Sequence, residues 1–153
     1  MRERQAYRDR IDSLLRQIPA PTENLFLHTS LVKFACVLVC GYIELSIRDI
    51  LQEYTRKRAS NEVSNYVNRR LERFQNPKME TVIQLVGAFS QDWANNLKAE
   101  TKDQLKDHID SLVANRNQIA HGKDVGLSHV RLNEYYQSAL RVIEVVEEQC
   151  ATG

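Results

Sequence analysis

The chain reads as an all-α protein, a helical bundle in a single domain spanning residues 1–153, and three observations lead there. Only five glycines and three prolines interrupt 153 residues. An apolar period near 3.6 persists over long segments, and no stretch keeps the strict polar and apolar alternation of a half-buried strand. The 42% hydrophobic and 27% charged content is that of an ordinary soluble globular protein, and the length suits one domain with a sizeable core.

A first helix is predicted from about Arg4 to Ile18, closed by Pro19-Ala20-Pro21. A long second helix follows, from about Glu23 to Arg58. Its stretch from Leu31 to Leu51 is the most hydrophobic in the chain, but Lys33, Glu44, Arg48 and Asp49 interrupt it. A membrane span of roughly 20 residues tolerates such charges poorly, so a buried core helix and no membrane association are expected. Ser60 or Asn61 can cap a third helix to about Phe74, and Asn76-Pro77 can start another to about Ser90. Trp93 to Leu97 reads as a short helix or turn. A fifth long helix is expected over about residues 101–121, from Thr101 to His121, with Gly122 as its stop. Ser128 then caps a last helix to about Gln149.

Met1 to Arg10 is arginine-rich but leads into amphipathic residues, not into the apolar run and small-residue cleavage site of a signal peptide. The cysteines are three, an odd number, and Cys36 and Cys40 lie in an apolar run where free thiols behave as small hydrophobes. Reduced cysteines and a cytoplasmic location are therefore expected.

A formal charge of +1 and a pI near 7.7 give no strong overall field, so attraction for nucleic acid has to be local. Basic residues do cluster, as Arg2, Arg4, Arg8 and Arg10, as Arg56, Lys57 and Arg58, and as Arg69, Arg70 and Arg73, with Tyr54 and Tyr66 near enough to stack on bases. Two readings stay open: cations that hold an RNA backbone, or cations that complement helix ends and keep the protein soluble. The last helix gathers Glu144, Glu147 and Glu148.

The residues that carry chemistry are Arg116-Asn117-Gln118-Ile119-Ala120-His121-Gly122. Arginine is permanently charged and grips phosphate oxygens, while histidine exchanges protons near neutral pH. These are the groups that a metal-free attack on a phosphodiester needs. Leu105, Ile109, Leu112, Arg116 and Ile119 are spaced by four, three, four and three, so Arg116 falls in line with the apolar stripe. A guanidinium there needs a partner, and Glu44, itself inside an apolar run, is the candidate. A purely structural arginine is the alternative. Asn117 and His121 are four apart, so the amide can reach the imidazole or a bound phosphate. Arg116 and His121, five apart, diverge on a straight helix by about 140° and about 7.5 Å along the axis. One chain also offers one histidine where in-line cleavage wants both a base and an acid. Two motifs facing each other in a dimer answer both difficulties.

Other residues support no competing chemistry. His28, His108 and His129 lack metal-ligand spacing, and Asp103, Asp107 and Asp110 stand beside Lys102 and Lys106 as a solvated face would. Phosphate-binding glycine loops and nucleophile elbows are absent from the sequence, and neither metal nor cofactor is expected.

Arg-Asn-x-Ile-Ala-His-Gly at a helix end, followed by a helix with the Glu134-Tyr135-Tyr136 run, resembles the HEPN superfamily, most closely its RiboL-PSP-HEPN branch. The run Gly41-Tyr42-Ile43-Glu44-Leu45 is similar to that branch's Gly-Tyr-x-Glu segment, and the likeness covers nearly the whole chain. The resemblance implies a HEPN-like bundle that forms a homodimer and, in active members, cuts RNA without metal, commonly in toxin–antitoxin or phage-defence systems. By the same resemblance, Arg116 would bind the scissile phosphate, His121 would act as general acid or base, Asn117 would position one of them, and Glu44 would support the site. A related group that partners a nucleotidyltransferase carries tyrosine two residues after the motif histidine. Lys123 stands there in this chain, which argues against that partnership and sets a further cation, or simply a loop lysine, beside the site. The expected function is thus a metal-independent endoribonuclease with an RNA substrate. A catalytically inactive dimer that binds RNA, a nucleotide or a protein is the rival, and a subunit neutralised or modified by a neighbouring antitoxin is a third reading.

Overall fold

The computed structural model describes residues 2–152 and forms among them seven helices and no strand. They are α1 (Arg2–Gln17), α2 (Leu25–Arg58), α3 (Asn61–Leu71), α4 (Met79–Phe89), α5 (Gln91–Glu100), α6 (Gln104–Ala120) and α7 (His129–Thr152). The 34 residues of α2 make a rod about 51 Å long at the usual helical rise. Asn24 caps it by accepting a hydrogen bond from the Leu27 amide at 3.0 Å.

The middle of α2 is the axis of the core because its apolar residues lie on several sides of the helix. Ala35, Cys36, Val39, Cys40, Ile43, Ile47 and Leu51 are all fully buried, covered by α1, α6 and α7. α1 runs antiparallel to α2, with Arg4 near Asp49 at 3.5 Å and Tyr7 lying on Gly41. α7 runs parallel to α2, and its Tyr136 hydroxyl donates to Asp12 of α1 at 2.7 Å. By length and composition α2 is apolar enough to cross a membrane, but half of its most apolar stretch is buried inside the fold. The core-helix reading of Leu31 to Leu51 therefore accounts for that half. The outer side of its first half is different: Phe26, Phe34 and Val37 remain 82%, 54% and 40% exposed.

α4 and α5 form a hairpin hinged on one residue. The Ser90 amide donates to the Val86 carbonyl at 3.0 Å, ending α4, while its Oγ accepts from the Trp93 amide at 3.3 Å, starting α5. Trp93 and Phe89 then meet Tyr54 of α2 edge-on, at centroid distances of 4.9 and 6.4 Å. Edge-to-face pairs of this kind add about 0.5–1.5 kcal/mol beyond area burial.

Several boundaries differ from the sequence expectation, each for a local reason. The third helix ends at Leu71, short of Phe74. The fourth starts at Met79, because Asn76 adopts φ 56° and the chain bends through Pro77. Trp93 to Leu97 is part of a full helix, α5. The expected helix from Thr101 is broken: Thr101 closes α5 through its amide and its hydroxyl, both donated to the Leu97 carbonyl, and Asp103 at φ 65° reverses the chain before α6. With ψ at −120°, this is a conformation that glycine adopts far more readily than aspartate. Ser128 does cap α7, accepting from the Arg131 amide at 3.0 Å, but the helix continues to Thr152.

Candidate functional site

The motif occupies the last turn of α6 and the loop after it. The Gly122 amide donates to the Ile119 carbonyl at 3.0 Å and the Lys123 amide to the Gln118 carbonyl at 3.0 Å, with Gly122 at φ 73°. This pair of bonds is the Schellman termination, and it explains glycine at this position. α6 stays regular to Ala120, and His121 follows as the cap at φ −89° and ψ 10°. The helix end does not loosen, so the angular divergence between Arg116 and His121 stands.

Arg116 is held where its spacing predicted, at the edge of the core. Its Nη2 donates to Glu44 Oε1 at 2.8 Å, with 27% and 16% of the two side chains exposed. That is the only hydrogen bond of the guanidinium to a described residue. A guanidinium carries five N–H donors, so most of this one stays available to an anion. The pairing with Glu44 and phosphate capture are therefore compatible.

Glu44 Oε1 takes a second bond, from the Asn76 amide at 3.1 Å, and Asn76 Oδ1 accepts from Asn117 Nδ2 at 3.1 Å. Thus α2, the bend before α4 and α6 are tied into one polar network: Arg116 to Glu44 to Asn76 to Asn117. The expected contact of the Asn117 amide with the imidazole is not formed; the amide turns to Asn76, and only its backbone carbonyl meets the His121 amide, at 3.2 Å. The His121 side chain is exposed and makes no hydrogen bond to a described residue. Lys123 is exposed as well, and among the described residues it is bound through its amide alone.

Two residues near the site were not singled out by the sequence. Asn76 read as a helix start, and its one signal was its place before proline. Tyr7 of α1 rests on Gly41, where a Cβ would collide with its hydroxyl, one turn before Glu44. Burial pushes the Tyr7 hydroxyl pKa up, with Arg10 lowering it and Glu44 and Cys40 raising it further. A small residue one turn from a buried-side carboxylate was the available hint that another helix crosses there.

The remaining candidates have structural partners. His28 Nδ1 lies 2.7 Å from the Pro19 carbonyl, and His108 Nδ1 lies 2.7 Å from Ser138 Oγ. His129 stands edge-on to His28 at 6.2 Å. Asp110 accepts from the Met79 amide at 3.0 Å and from Lys106 at 2.6 Å, so it caps α4 from another helix. Asp103 and Asp107 are exposed. Cys36 and Cys40 are unpaired and buried, with both thiols near the Leu112 carbonyl at 3.7 and 3.8 Å. The Cys40 thiol is pushed well up by its hydrogen bond to Cys36 and by burial, which keeps it an inert core group.

Comparisons with curated proteins and with solved structures return no match. The family model described as RiboL-PSP-HEPN matches residues 2–152, and with the all-helical fold and the motif at the end of α6, the chain belongs to the RiboL-PSP-HEPN family.

Proposed function

We propose that the protein is a cytoplasmic, metal-independent endoribonuclease of HEPN type that acts as a homodimer in a toxin–antitoxin or phage-defence system. The observation that carries this reading is the contrast within the motif. Arg116 is braced by Glu44 with most of its donors available, and the His121 imidazole is exposed at a rigid helix end with no hydrogen bond to a described residue. A structural role alone accounts for the arginine and leaves the histidine unexplained.

In the proposed reaction, the 2′-hydroxyl of RNA attacks the adjacent phosphorus. A new 2′-O–P bond forms as the P–O5′ bond breaks. One His121 takes the proton of the attacking hydroxyl, and His121 of the partner chain gives a proton to the departing 5′-oxygen. Arg116 binds the non-bridging oxygens as their charge grows. The products are a 2′,3′-cyclic phosphate and a 5′-hydroxyl. Asn117, through Asn76 and Glu44, keeps the guanidinium in register.

The dimer reading has support from the surface. Lys33 pairs with Asp124 at 3.0 Å, so α2 lies against the loop after α6 at a point three residues past His121. Phe34, next to Lys33, and Val37, one turn on, are exposed on this helix, and Val130 of α7 is 70% exposed. Apolar side chains beside an incomplete site suit a second copy of the chain. The rival, an inactive dimer that binds RNA, a nucleotide or a protein such as an antitoxin, draws on the Arg116–Glu44 pair as architecture.

The test is cleavage of a single-stranded RNA in excess EDTA. The wild type should cleave it, and His121→Ala should not, while keeping its melting temperature and its dimer. Cleavage by the variant at the wild-type rate would remove His121 from the mechanism and this reading with it. Toxicity on expression, relieved by the same substitution, would identify the toxin role.

A further inference from the structure

α3 packs on α2, and of its own residues Leu71 alone is buried. Tyr66, Arg69, Arg70 and Arg73 are spaced i, i+3, i+4 and i+7, so they form one stripe about 10 Å long. All four are exposed, Tyr66 by 64%, and the Arg70 guanidinium stands over the Tyr66 ring at 5.9 Å. Arg73 lies just past α3, but its amide still donates to the Arg70 carbonyl at 3.2 Å, which keeps it on the stripe.

These arginines differ from Arg4 and from the basic end of α2, whereas Arg8 and Arg10 of α1 likewise form no ion pair with a described residue. Arg4 is paired with Glu147 at 2.9 Å, and Arg56 and Lys57 are paired with Glu53 at 2.6 and 3.6 Å. Arg69, Arg70 and Arg73 form no ion pair with a described residue. Their charge is therefore available to a polyanion.

The C-terminal end of the stripe is tethered near the site. Asn76, three residues after Arg73, is bonded through its amide to Glu44 and through its side chain to Asn117. Three residues of chain span at most about 11 Å, so Arg73 is held close to the network that braces Arg116. We infer that α3 is the platform for single-stranded RNA in this protein: one base stacks on Tyr66 beside Arg70, and Arg69, Arg70 and Arg73 hold successive phosphates that lead to Arg116 and His121. The inference rests on the ribonuclease reading and adds which surface takes the strand. A flexible single strand suits the stripe better than a duplex, because an exposed ring next to cations offers a base a π face that duplex bases keep stacked.

The experiment measures binding apart from cleavage, with the full chain and a short fluorescent 2′-O-methyl RNA, which lacks the attacking hydroxyl. The triple substitution Arg69→Ala, Arg70→Ala and Arg73→Ala should raise Kd roughly tenfold or more near physiological salt. It should also flatten the slope of log affinity against log salt by about 2, since each phosphate contact to a single strand contributes about 0.7. Tyr66→Ala should weaken binding about tenfold with the salt slope unchanged, as loss of a stacking contact does. With cleavable RNA, both variants should raise KM and keep kcat. These side chains are exposed, so circular dichroism melts should match the wild type. If the wild type binds and cleaves RNA and the triple variant has the same Kd and slope, the platform is overturned while the nuclease reading stands, and the stripe passes to another occupant such as an acidic protein. If the wild type neither binds nor cleaves single-stranded RNA, both fall.

Discussion

Arg116 and His121 belong to one heptapeptide and live in opposite surroundings. Arg116 lies on the inward stripe of α6, tied to Glu44 of α2 and, through Asn76, to the bend before α4. His121 is one step past the helix, exposed, and held only by its backbone. The fold thus invests several elements in orienting the cation and a single glycine-terminated turn in presenting the imidazole. Removing the first should disturb structure and chemistry together, whereas removing the second should disturb chemistry alone.

That asymmetry is sharpened most by substituting its two ends. His121→Ala should lower RNA cleavage by about 10²–10⁴-fold, the usual contribution of a positioned acid or base, with an unchanged thermal melt. Arg116→Ala should also lower cleavage by 10²-fold or more, as loss of a donor to a developing oxyanion does. Unlike the histidine variant, it should lose about 1–2 kcal/mol of stability because Glu44, with only 16% of its side chain exposed, is left without its cation. The cost is less than for a fully buried pair because both side chains keep some exposure. In a chain of this size the melting midpoint would fall by roughly 2–8 °C. Equal melts for the two variants would erase the contrast.

A smaller effect is expected at the turn between them and the loop. Nothing lies within 4 Å of a Cβ built on Gly122, so the objection to a side chain there is its φ of 73°. Gly122→Ala should cost about 1–2 kcal/mol, and Gly122→Asn less, because asparagine tolerates the left-handed region. Both are read by denaturant melts, and equal losses would argue against the conformational explanation.

The smallest effect lies at the far end of the core, away from the motif. Burial pushes the Cys150 thiol pKa from 9.0 up to about 11, with Arg58 lowering and Glu147 raising it. The folded state therefore keeps a proton that the unfolded state gives up, and the associated stability, complete below about pH 9, is lost as pH rises towards 11. Cys150→Ala should make that alkaline decline shallower and leave cleavage of RNA unaffected.

How much of this was legible in the sequence follows from which forces act locally. The long core helix, the cap at Ser128, the cap of α3 at Ser60 as one of two candidates, the glycine stop of α6 and the inward direction of Arg116 all depend on periodicity or on residues a few positions apart. Its pairing with Glu44 was legible too, because a charge on an apolar stripe has few places to go. The break at Thr101 and Asp103 was hidden, since the helix period runs through it and a single residue at positive φ decides it. Asn76 and Tyr7 were hidden for a different reason. Their places at the site come from a bend and from a crossing helix, contacts 32 to 41 positions apart for Asn76, which local spacing does not encode. The turn of Asn117 away from His121 is the same lesson: the better partner arrived from another element.

The central claim is that one chain holds half of a site and that a second chain completes it. Its most direct measurement is the cleavage of RNA in EDTA by Phe34→Glu, a substitution that sets a charge on the exposed apolar face of α2 without entering the core, combined with the molar mass of the same sample by light scattering. A folded monomer is expected, with cleavage lowered by at least about 10²-fold because the acid–base partner is missing. A folded monomer that cleaves RNA at the wild-type rate would contradict it.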